Sequence, residues 1–197
     1  MQKNKKLLYF TVIVIGIITV TMVSALFYIN KYSKKGIYKN VLNQDGYEIY
    51  EIQKPVHFST YIEPEWIPTL NPTEDNKVIE LNKEISKVGN VAIIIESIMH
   101  RGNDIYFNFD AIPYITYEEG EFLYNYTFND DGTATTYNNY PTFIIYNNSN
   151  MQVDKGQNGF GSSQFSFGID IDNYDLIKDG FTLEYNSSIL YGYSLLD

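Results

Sequence analysis

The side chains able to do chemistry are few, and their spacing commits them to little. The 197-residue chain holds two histidines and no cysteine, which removes disulfides, thiolate zinc sites and a cysteine nucleophile together. His57 and His100 stand outside any H-E-x-x-H or comparable ligand spacing. They read as ordinary surface residues in a strand and a turn. Arg101, the one arginine, follows His100 in a turn sequence, where it is free to meet an anionic partner or water. No G-x-S-x-G or S-x-x-K nucleophile motif occurs.

Oxygen ligands are more plentiful. Asp170, Asp172, Asp175 and Asp179 crowd one short segment, and oxygen-rich loops at sheet ends bind calcium. Tyr174 occupies the place where an EF-hand needs Asp or Asn, and no glycine follows it. Aspartates in turns more often accept hydrogen bonds from amides two residues on. The expectation is therefore no bound cofactor, with calcium at Asp170, Asp172 and Asp175 as the candidate to test. Gly156–Gly161 looks like a phosphate cradle but runs into a strand rather than a helix, so it reads as a hairpin loop. Acidic pairs such as Glu63 with Glu65 and Glu118 with Glu119 have the residue type for glycoside hydrolysis, but such pairs arise readily in so acidic a chain. The triplets beginning at Asn125, Asn147 and Asn186 match the N-glycosylation pattern, which an Asn-rich sequence produces by chance.

The elements that must position these groups are mainly strands. Nineteen tyrosines and twelve phenylalanines suit a pleated, half-buried surface. Tyr47–Ile52 alternates as a strand. Val91–Ile95 reads as a buried interior strand, and across Arg101–Asp104 it forms a hairpin with Ile105–Phe109. Glu121–Phe128 places Phe122, Tyr124, Tyr126 and Phe128 on one face, expected to bury against residues 91–95 or 165–171. Asn129–Gly132 is a hairpin turn, with Thr133–Tyr137 returning. Phe143–Tyr146, Gln164–Ile171, Phe181–Tyr185 and Ile189–Tyr193 complete the set, and 154–163 reads as loop. Three prolines make 63–76 an extended connection, with Trp66 and Ile67 packed on the core. Glu74–Lys87 alone has a faint helical pattern, interrupted by asparagine. Roughly nine or ten strands at about 8–12-residue spacing indicate an antiparallel β-sandwich, immunoglobulin-like or related.

Leu7–Ile29 is a different kind of segment: 23 residues without a charge, about 35 Å as a helix and enough to cross a bilayer. Tyr9 and Tyr28 lie near its ends. Val23-Ser24-Ala25 resembles a signal-peptide cleavage site, but apolar residues continue past it to Ile29, which favours an uncleaved signal-anchor. Lysines flank both ends almost equally; a short basic tail before a long apolar run is the layout of an exported domain.

The net charge of −10 is divided. Seven lysines lie at or before Lys39, whereas every acidic residue lies after it, so from residue 40 onward seven basic residues face 24 acidic ones, or −17. That balance excludes nucleic-acid binding. The organisation expected is a basic tail (1–6), a transmembrane helix (7–29), a basic juxtamembrane linker without helical periodicity (30–45) and an acidic β domain (46–197). Lys31, Lys34, Lys35 and Lys39 are expected to hold the linker on anionic headgroups while the acidic domain stands off. With no nucleophile or metal cluster in sight, the function expected is an extracytoplasmic binding or accessory module at the cell membrane, its partners the bilayer and a protein or cell-wall component. The alternatives are an exported hydrolase using a carboxylate pair on a sheet face and a calcium-dependent adhesion or stability module. The layout resembles that of small bacterial surface proteins with an N-terminal anchor and an immunoglobulin-like domain, a likeness of arrangement without a shared motif.

Overall fold

A computed structural model describes residues 2–70, 77–137 and 142–196. Helix α1 (Gln2–Tyr32) is followed, across Ser33, by α2 (Lys34–Leu42). Strands β1 (Tyr47–Gln53) and β2 (Val56–Ile62) come next, then a 3-10 turn at Pro64–Trp66 and the long strands β3 (Val78–Val88), β4 (Val91–Arg101) and β5 (Asp104–Ile112). Short strands follow: β6 (Tyr114–Ile115), β7 (Glu119–Tyr124), β8 (Tyr126–Phe128), β9 (Ala134–Thr136), β10 (Thr142–Asn147), β11 (Gln152–Val153) and β12 (Asn158–Phe160). The chain ends with β13 (Gln164–Asp170), the single turn α3 (Tyr174–Ile177), β14 (Phe181–Ser187) and β15 (Ile189–Leu195).

The protein is mostly β, in several antiparallel sheets, with one apolar N-terminal helix. The sheets run β1-β15-β7-β6, β11-β10-β14-β2 and β12-β13-β5-β4-β3, beside a β8-β9 ribbon. Gly89 and Gly102 adopt φ of +56° and +60° at the tight β3–β4 and β4–β5 turns, a conformation that costs glycine nothing. β1 pairs with β15 and β2 with β14, so one antiparallel ribbon passes from the first sheet into the second. Its corner lies at the cis Lys54–Pro55 bond and at Ser188, where the Val56 amide donates to the Ser188 carbonyl at 3.2 Å.

Two apolar cores result. In the larger, Phe58, Phe143 and Tyr185 of the second sheet meet Phe165 and Phe167 of the third, with ring centroids 4.6 Å apart for Phe165–Tyr185 and 4.9 Å for Phe143–Phe167. Strict alternation on β5 drives Ile105, Phe107, Phe109 and Ala111 inward, each ring contributing about 1.5–3 kcal/mol by leaving water. The smaller core joins α2, through Ile37 and Val41, to Tyr47, Ile115, Phe122, Ile189, Tyr191 and Tyr193 around the first sheet.

Several expectations are corrected here. Residues 34–42 of the linker form a helix packed on the domain: Ser33 Oγ accepts from the Gly36 amide at 3.1 Å, and Ile37 and Val41 lie one turn apart. Ile37, Tyr38, Val41 and Leu42 form the helix's packed face, and nine residues are too few for that face to register as a period. Lys77–Lys87, within the faint helical pattern, is strand apart from Lys77, and residues 74–76 lie outside those described, as do 71–76 of the proline-rich stretch. The stretch 154–163 contains β12, and Ile67 and Trp66 do pack on the larger core. The aromatic stripe of residues 122–128 does not bury against 91–95 or 165–171. Phe122, Tyr124 and Phe128 belong to the smaller core, while Leu123, on the opposite face of β7, enters the larger. A strand covered on both faces offers two destinations, and alternation alone does not choose between them.

Candidate functional site

The sequence-selected residues are dispersed. His57 is exposed on β2, whereas His100 is buried, correcting its reading as a surface residue, and its Nδ1 has no hydrogen-bond partner. Arg101 is occupied by its own strand turn. It donates to Asp104 through Nε at 2.8 Å and lies 3.6 Å from the Tyr106 ring centroid. Asp170, Asp172 and Asp175 are all exposed; Asp170 accepts from the Asp172 amide at 3.2 Å, and Asp175 pairs with Lys178 at 2.7 Å. Among the described residues no group of three or more His, Asp or Glu is placed to hold a metal. Gly159 lies within β12, in a hairpin with β13. Glu65, Glu118 and Glu119 are exposed.

The residue that sequence reasoning missed is Glu96. It lies between Ile95, paired with Phe109, and Ser97, paired with Asn108, so it is the extra residue of a β-bulge in β4. The β3–β4 ladder shifts at the same level, where Asn82 of β3 takes φ +50°. Bulges bend a strand and re-aim a side chain. This one delivers Glu96 to a groove of about 410 Å³, lined also by Asn108, Phe160, Gly161, Gln164 and Ser166. Asn108 donates to Ser97 Oγ at 3.1 Å, and Ser166 shares a hydrogen bond with Tyr106 at 2.7 Å. Glu96 and the Gln164 amide have no hydrogen bond among the described residues. Burial pushes the Glu96 carboxyl above its usual value, and the charges of Asp110 and Glu80 push it further. Asp110 itself is engaged, accepting from Ser163 Oγ at 2.7 Å and the Ala111 amide at 2.9 Å. The groove thus offers an uncommitted carboxyl, a free amide and an aromatic face to a polar ligand. A carboxyl raised this way also holds its proton nearer neutral pH. The signal was present in the sequence: Glu96 interrupts the run Val91–Ile95 and Ile98-Met99, where an interior strand has no reason to carry a charge.

Behind the groove lies a buried polar strut. Asn125 donates through Nδ2 to the Gly161 carbonyl at 2.7 Å and the Gln164 carbonyl at 3.2 Å, while its amide donates to Ser162 O at 3.0 Å. Its Oδ1 accepts from Ser188, whose Oγ in turn is bonded to Tyr185. Ser188 has one hydroxyl proton, so Tyr185 must donate to it. Burial raises the Tyr185 hydroxyl to about 12, keeping that proton in place. Asn125 is therefore committed to structure, and its glycosylation triplet has no free amide.

Two further grooves, of about 660 and 510 Å³, flank the α1–α2 junction. Comparison with protein-family models, curated proteins and solved structures finds no match.

Proposed function

We propose that this chain is a single-pass membrane-anchored module that binds a non-nucleic-acid partner outside the cytoplasm. Leu7–Ile29 remains attached and crosses the bilayer. Residues 46–197 form an acidic β-sandwich, immunoglobulin-like or related, whose facing aromatic rings support that arrangement. The observation that carries the reading is α1. Its segment Thr11–Tyr32 is long and apolar enough to span a membrane, and no residue of it is buried in protein. Exposed, Val12, Ile13, Ile17 and Phe27 leave a continuous apolar surface that only lipid covers without cost. The test is extraction of membranes with alkaline carbonate, followed by N-terminal sequencing and protease protection. The protein is expected in the pellet with residues before Leu26 intact and its β domain open to external protease. A soluble product beginning at Leu26 overturns the anchor, and protection of the domain overturns its placement.

A second reading, hydrolysis, rests on the Glu96 groove, where a raised carboxyl stands near Asp110. Turnover of chromogenic glycosides by the intact protein, lost in Glu96→Gln, supports it. No turnover across such a panel removes it.

A further inference from the structure

We propose that the α1–α2 junction is a seat for an anionic phospholipid of the bilayer, which clamps the β domain flush against the membrane. This deepens, and rests on, the reading of α1 as an anchor.

The larger junction groove is built from two kinds of surface. Leu26 and Ile29 belong to the last apolar turns of α1, and Leu42 closes the far side from α2. Lys35 and Lys39 stand on α2, past the end of the apolar run, one helical turn apart. No acidic residue lines the groove. Apolar walls beside two ammonium groups, where the helix leaves hydrocarbon, complement an acyl chain and its phosphate. A soluble anion would use the lysines and leave Leu26, Ile29 and Leu42 wet.

The clamp works because α2 is not a free linker. Ile37 and Val41, both buried, fix it to Tyr47, Ile115 and Phe122. A lipid that holds α2 therefore holds the sheet. The second groove, on the other flank of α1, places Phe27 and Lys31 beside Tyr117, Leu195 and Leu196 of the domain. Tyr32 bridges the two bodies, 4.7 Å from the Tyr28 ring and 4.9 Å from that of Tyr117. Exposed Leu195 and Leu196 then meet the interface. The domain's acidity, which by itself predicts repulsion from anionic lipid, is overcome at short range by lysines that belong to the domain's own rigid body.

The experiment uses the full chain in mixed bilayers carrying spin-labelled phosphatidylglycerol or spin-labelled phosphatidylcholine. Motional restriction of the label is read by electron paramagnetic resonance. Phosphatidylglycerol is expected to show the larger immobilised fraction, and its preference should fall about fivefold for each of Lys35→Gln and Lys39→Gln. Lys34→Gln, which lines neither groove, should leave it unchanged. Equal immobilisation of both lipids, or an equal effect of Lys34→Gln, overturns the seat. Loss of the protein from carbonate-washed membranes overturns the anchor itself, so the two failures are told apart.

Discussion

Replacing Asn125 with alanine should destabilise the domain by about 3 kcal/mol, and the figure follows from which groups lose partners. The substitution deletes the donor to Gly161 O, the donor to Gln164 O and the acceptor for Ser188 Oγ. Gln164 O keeps a second donor, the Gly161 amide at 2.8 Å. The half-buried Gly161 carbonyl loses its side-chain donor and the buried Ser188 hydroxyl keeps Tyr185 alone, so its proton has no acceptor in Asn125; a group left unpaired away from water costs about 1–3 kcal/mol. Tyr185→Phe removes one donor and should cost about 1 kcal/mol. Because Asn125 and Ser188 share a bond, Asn125→Ala and Ser188→Ala together should cost less than their sum by about 1 kcal/mol. Urea unfolding of the detergent-solubilised chain, followed through Trp66, reads these as midpoint shifts at constant slope. A loss below about 0.5 kcal/mol for Asn125→Ala, or strict additivity of the pair, would refute the network.

Two further outcomes are expected. The folded state holds the Glu96 carboxyl above its ordinary value of 4.5, so the unfolded chain releases this proton first as pH rises. Stability contributed by protonated Glu96 is then lost between that value and the raised one. Glu96→Gln should flatten this drop in urea titrations and be the more stable chain at neutral pH; an unchanged pH profile would show the carboxyl to be fully solvated. Phe122→Ala should cost about 3–5 kcal/mol, and Phe128→Ala, half-buried at the edge of the same core, about 1–2 kcal/mol. Equal losses in melting experiments would mean that residues 122–128 form one continuous buried face.

Alternation made the β class and the strands around residues 47–52, 91–109, 143–146 and 164–193 legible, because a side chain on a pleated strand has only two directions. The destinations of those side chains were less so. Phe122 and Leu123 are both buried, in different cores, and nothing local distinguishes them. Strand β3 escaped notice because two irregularities interrupt its pairing, between Glu80 and Lys83 and between Glu84 and Ser86. Its apolar residues therefore never keep a period of two for long. Helix α2 needs a partner surface to be stable at nine residues, and that surface is assembled from β1, β6, β7 and β15. Among the candidate residues, His57 and the Asp170 segment stand apart because each satisfies a local turn or strand. Glu96 was visible only as an inconsistency, a charge inside an apolar strand, and its meaning depended on a bulge that sequence does not display.

The ribbon shared by β1 and β15 has a mechanical consequence. Helix α2 packs on the domain ahead of the sheet, which begins at Tyr47, opposite Leu195, and among the described residues β1 pairs with β15 alone. A pull on the N-terminal helix must first lift Ile37 and Val41 of α2 out of the smaller core before it loads the strand. The rungs from Tyr47–Leu195 to Glu51–Tyr191 carry the load only after that, so the packed helix shields the edge strand from tension at the anchor.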